Sequence, residues 1–327
     1  MDNFLITLAT VIMLFAYALP GYLLIKTKVV KESALSALSY VLMYICQPAL
    51  TIYSFDQATQ LIVASPESAS SLYASMAAVF GIAFVGIILL MVTFYFIFRK
   101  KFDDIMNRLY IICTCFGNVA FFGNPIMLNL LPDHPEAVIF STVFFIAMNI
   151  IGWTLGCYLI TQDKKYISIK KVVLNPAVLA LIVALPLFIF KVQLASIGGE
   201  GSMLGSRIYE FMSLLAKMTT PICMIILGMR LATLELKHLF IHWKNYCIIA
   251  VKHIVFPFVL LLMIYFLPIA TYVKQIVFIL GACPCAAIIQ TYAEMLEKGQ
   301  KESVQMVLLS TMLSVVTLPL LMLIPLF

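Results

Sequence analysis

The chain is a succession of apolar runs, each long enough to cross a bilayer, joined by short segments that hold most of its charge. A transmembrane helix needs roughly 20 apolar residues. Ten such runs are read at 4–25, 33–55, 72–98, 109–131, 136–160, 172–190, 208–229, 245–267, 274–296 and 303–325. Two long tracts are divided to obtain them: 109–160 at Leu131-Pro132-Asp133-His134-Pro135, and 245–296 at Leu267-Pro268. Hydrophobic residues make up 63% of the 327 and charged residues 11%. Soluble domains carry roughly 45–50% apolar and about 25% charged residues. So few charges cannot cover a water-facing surface of this size. A soluble enzyme, a disordered chain and a nucleic-acid partner are excluded. The expected fold class is an all-α membrane protein. The run from Phe4 to Ile25 is too long for a signal-peptide core and has no small-residue cleavage site before Lys26, so it is read as the first span.

The net charge of +6 is an orientation signal. The connections 26–32, 99–108, 161–171, 230–244 and 297–302 hold 16 Lys and Arg. The alternate connections and both termini hold three: Lys191, Arg207 and Lys274. Basic loops stay in the cytoplasm. Both termini are therefore expected outside a plasma membrane crossed ten times.

Five spans per half is an odd number, so homologous halves would lie in opposite orientations. Pro20 and Pro186 fall in spans 1 and 6, and Pro48 and Pro221 in spans 2 and 7. Spans 4 and 9 each carry a Cys-x-Cys beside a helix breaker, Cys113-Thr114-Cys115 and Cys283-Pro284-Cys285. Two inverted five-helix repeats, 1–160 and 172–327, are expected, with broken helices 4 and 9 meeting at mid-membrane as in secondary transporters. Gly117 to Pro125 contains two Gly, two Asn and one Pro, a poor helix even in water. In lipid its backbone must be satisfied by protein or trapped water. Helix N-termini beyond each break would aim partial positive charge at the membrane centre and favour an anion.

The motif Asn118-x4-Gly123-x-Pro125 resembles the fourth helix of the auxin efflux carrier family. Pro284-x7-Tyr292-Ala293, Ser310-Thr311-Met312-Leu313-Ser314 and Met218-Thr219-Thr220-Pro221 with Gly228 resemble its later helices. The resemblance spans the chain and implies a scaffold of helices 1, 2, 6 and 7, and a mobile transport domain of helices 3–5 and 8–10. It also implies export of carboxylate-bearing organic anions by alternating access, no cofactor, and a homodimer through the scaffold. Asn118 falls on the family's crossover Asn, and Ile288 and Ile289 on its helix 9 crossover. Gly117 and Ile289 stand where plant carriers have Pro, so auxin itself is not the expected substrate. The expected substrate-binding set is Gly117, Asn118, Asn124, Pro125, Asn149, Pro284, Ile288, Ile289 and Gln290.

Lys217, and Lys252 with His253, are expected to snorkel to the interfaces. Glu294 is expected at a wetted helix end. His238-x3-His242 beside Trp243 reads as a surface turn. The eight Cys all fall in or beside apolar runs, so no disulfide framework and no metal site are expected. A thiophilic, arsenite-type exporter using the Cys pairs and an ion-coupled bile-acid-type symporter of similar fold are the alternatives. A channel is disfavoured because no run has a polar stripe along its whole length. An intramembrane enzyme is disfavoured because no Asp lies in any run and the four His are near interfaces.

Overall fold

The computed structural model describes residues 2–65, 69–134, 136–166, 176–199, 201–233 and 242–324. Lys170, Lys171, Lys237, His238 and the end of the last expected span lie outside them. The described chain is all-helical apart from one isolated bridge. Among the described residues seven helices are long and apolar enough to cross a membrane: α1 Asp2–Lys26, α2 Ala34–Ala64, α3 Ala69–Lys101, α5 Ala137–Thr161, α7 Met203–Thr233, α8 Trp243–Tyr265 and α10 Gln300–Leu321. Between them lie α4a Ile105–Cys113, α4b Val119–Leu130, α6 Pro176–Ile189, α9a Thr271–Ala282 and α9b Ile288–Met295.

The expected span 2 stops at 55, but α2 runs on to Ala64 and takes in Asp56. That carboxylate is buried and stays inside a helix because its oxygens accept from the Leu194 N–H at 2.6 Å and the Gln60 side chain at 2.8 Å.

Proline placement explains the irregular turns. Three π-helical turns, Leu42–Cys46, Val119–Gly123 and Val251–Val255, each end one residue short of an X-Pro pair: Gln47-Pro48, Asn124-Pro125 and Phe256-Pro257. A proline inside a helix has no N–H to give and its ring crowds the carbonyl one turn back. The wider turn gives that carbonyl room, and such bulges are frequent at functional sites. A fourth, Gly152–Gly156, has a glycine at each end instead.

Packing sorts the helices. The α1 and α7 helices lie backbone to backbone: a Cβ on Gly228 would collide with the Ala18 carbonyl, and one on Gly21 with the Ile225 carbonyl. Small residues permit this approach, which drives helix association where lipid supplies no hydrophobic force. The α2 helix packs on α6 and α7. Helix α1 also packs on α10 and α4b, while α3 packs on α5 and α8, α8 on α9a, and α9b on α10.

Candidate substrate site at the paired helix breaks

Both interruptions expected from the sequence are present. Helix α4a ends at Cys113 and α4b starts at Val119, while α9a ends at Ala282 and α9b starts at Ile288. The two unwound segments satisfy each other. Gly117 and Cys285 form an antiparallel bridge. The Asn118 N–H donates to the Pro284 carbonyl at 2.7 Å, and the Ala286 N–H to the Phe116 carbonyl at 3.0 Å. The Cys285 N–H donates to the Ser310 hydroxyl oxygen of α10 at 2.9 Å. Non-helical backbone is tolerated at membrane depth only when protein meets its needs in this way.

Lys252 corrects the sequence expectation. It does not snorkel: its side chain is fully buried and its ammonium donates to the Gly281 carbonyl at the end of α9a. It lies 4.9 Å from the Phe256 ring centroid. A Cβ on Gly117 would come within 3.1 Å of the ammonium nitrogen. The ammonium thus sits where both breaks meet, against the negative end of α9a. No ion pair seen among the described residues includes it.

His253 is also fully buried rather than interfacial. Its ring nitrogens lie 2.7 Å from the Thr317 hydroxyl and 2.8 Å from that of Ser310. It therefore braces the serine that holds the Cys285 N–H. Lys217 is exposed.

A small cavity, open on one side, lies beside the breaks. Helix α2 gives Ser39, Leu42, Met43 and Gln47, α4b gives Phe121, and α5 gives Phe145, Asn149 and Trp153. The start of α9b closes it with Ala287, Ile288 and Thr291. Its walls are mainly apolar and aromatic with a few polar groups, the usual make-up of a small-molecule site. Three of the four π turns contribute to it, through Leu42 and Met43, Phe121, and Trp153.

Of the nine residues expected to bind substrate, Asn149 and Ile288 line this cavity. The Asn149 amide donates to the Phe145 carbonyl at 3.0 Å and accepts from the Tyr292 hydroxyl at 3.3 Å. Gly117, Asn118 and Pro284 form the paired breaks, and the Asn118 side chain is turned to the Cys223 thiol of α7. Asn124 accepts from the Ser141 hydroxyl, a bond between α4b and α5. Pro125 shapes the start of the regular part of α4b. Ile289 is fully buried, and Gln290 is buried with its Nε2 unpartnered. The sequence reading missed Gln47, the three aromatic walls and Lys252. The signal for Lys252 was present, since an ionisable residue within a span is a functional candidate by default.

A family profile described as "Membrane transport protein" matches residues 6–171 and 165–322. The chain belongs to that family, the one that includes the auxin efflux carriers. This is a family of transporters and not of enzymes, and its member here is a multi-pass membrane protein. No curated protein matches the chain.

Proposed function

We propose that this membrane transport protein is a secondary carrier of small organic carboxylate anions that works by alternating access. The observation that carries the reading is the buried Lys252 ammonium, placed where the two breaks meet and bonded to a carbonyl rather than to an acid. A buried charge without a counter-charge is costly. Lys252 does not itself line the cavity, so an anion held there offsets that cost through space, whereas a cation adds to it.

In this reading the fold is two inverted five-helix repeats, 1–160 and 172–327. Helices α1, α2, α6 and α7 are the scaffold, and α3–α5 with α8–α10 the moving bundle. The cavity lies between them, with α2 from the scaffold facing α4b, α5 and α9b. The substrate carboxylate rests against the first turn of α9b at Ala287 and Ile288, within reach of Asn149. Its organic body lies among Phe121, Phe145 and Trp153. The loop charges put both termini outside and the basic loops in the cytoplasm. Ser39, Trp153 and Thr291, toward the basic-loop ends of α2, α5 and α9b, are half-buried, whereas Gln47, Phe121, Phe145 and Asn149 are buried, so the cavity is read as opening toward the basic loops in this conformer.

The test is thermal unfolding of the purified protein with a panel of mono- and dicarboxylates, followed by counterflow in proteoliposomes for any that stabilise it. A ligand of the folded state raises apparent stability. At least one carboxylate should do so and should be lost with Lys252→Met. Stabilisation by organic cations alone, or a Lys252→Met protein that binds the carboxylate unchanged, would overturn the assignment.

A further inference from the structure

The sequence places Glu294 at a wetted helix end, but the structure ties it to Arg230 of α7, with guanidinium nitrogen and carboxylate oxygen 2.7 Å apart. The side chains are only 14% and 24% exposed. His134–Glu136 and Arg207–Glu210 are ion pairs between near neighbours in the chain. Arg230–Glu294 instead joins α7 to α9b. Arg230 is anchored, because α7 is pressed against α1 at Gly228. Glu294 stands about one turn beyond Thr291, which lines the cavity, so the pair lies toward the 297–302 loop from the cavity wall.

We propose that Arg230–Glu294 is a latch that holds the conformer in which the cavity opens toward the basic-loop face. The inference rests on the two-bundle reading above. If α7 belongs to the scaffold and α9b to the moving bundle, any displacement of one against the other changes this distance. An ion pair loses its contact beyond about 4 Å, so a shift of a few ångströms opens it. Closed, the latch favours one conformer by its differential interaction with the two states. Opened, both groups stand near the loop end of their helices, where water solvates them, so the latch is releasable.

The test follows accessibility and uses no substrate, so the carboxylate assignment can fail while the latch stands. Cys247 is the exposed cysteine among the described residues. A Cys247→Ser background carrying Thr291→Cys is treated with a membrane-impermeant maleimide in inside-out and right-side-out vesicles. With the latch intact, Thr291→Cys should react from the basic-loop face. Adding Glu294→Gln should slow that reaction, by less than the roughly fivefold shift in the conformer equilibrium that a pair worth about 1 kcal/mol supplies. The charge exchange Arg230→Glu with Glu294→Arg should restore it, which separates a broken latch from a damaged fold. A rate unchanged by Glu294→Gln, a loss that the exchange fails to restore, or a Thr291→Cys that reacts from neither face would each overturn the proposal.

Discussion

Asn149 and Asn118 carry the same side chain in two settings. Asn149 faces the cavity, and its amide is braced by the Phe145 carbonyl and the Tyr292 hydroxyl. Asn118 contributes its backbone N–H to the paired breaks while its side chain meets Cys223. A hydrogen bond to a charged group is worth roughly 1.5–3 kcal/mol, or about 10- to 150-fold in binding. Asn149→Ala is expected to weaken carboxylate binding by that order in a titration. Asn118→Ala should cost less, because its backbone bond to Pro284 survives the change. A larger loss from Asn118→Ala would move the anion toward the breaks. Gly117 is constrained by space: a Cβ there would lie 3.1 Å from the Lys252 nitrogen and 3.2 Å from the Leu280 carbonyl. Gly117→Ala should therefore destabilise the protein by about 1–3 kcal/mol, measured as a lower unfolding midpoint.

Helices here are shaped by their exceptions. A regular helix through Pro48, Pro125 or Pro257 would crowd its own carbonyls, and in each case a π turn stands just ahead of the proline. In two of the three, residues of the widened turn then line the cavity, so backbone relief and the shape of the site share one cause. The break in helix 9 is held from α10, where Ser310 accepts from the Cys285 N–H while meeting the His253 ring. Ser310→Ala leaves both groups short of a partner in the membrane interior. An unsatisfied buried polar group costs about 1–3 kcal/mol. The variant should unfold earlier on heating, and hydrogen exchange at Cys285 should speed up. Exchange at Cys285 as slow as in the parent protein would show that another group holds the break.

At the scale of the whole molecule, the alternation of 16 against three basic loop residues predicts that a reporter fused after Phe327 and one inserted within 161–171 lie on opposite sides of the membrane. A cytoplasmic C-terminus would remove the inverted repeat with it. Seven of the ten apolar runs and both helix breaks were legible in the sequence, because each depends on local quantities: run length, and Gly, Asn and Pro within an apolar run. Family membership was legible as well, through Asn118, Gly123, Pro125 and the motifs of the later helices. The fates of Lys252, Asn118 and Glu294 were not. By sequence alone Lys252 lies close enough to a membrane face to snorkel, and only the end of α9a, brought beside it by folding, supplies the carbonyl that keeps it inside. Asn118 reads as a substrate ligand by its motif, and only the fold adds that its backbone N–H pairs with the Pro284 carbonyl across the breaks. Glu294 reads as a solvated helix end until Arg230 arrives from α7. A polar side chain within a membrane takes whatever partner the fold brings near it. The sequence therefore determined where the polar groups had to be, and the tertiary structure alone decided which of them were already paired and which were left facing the cavity.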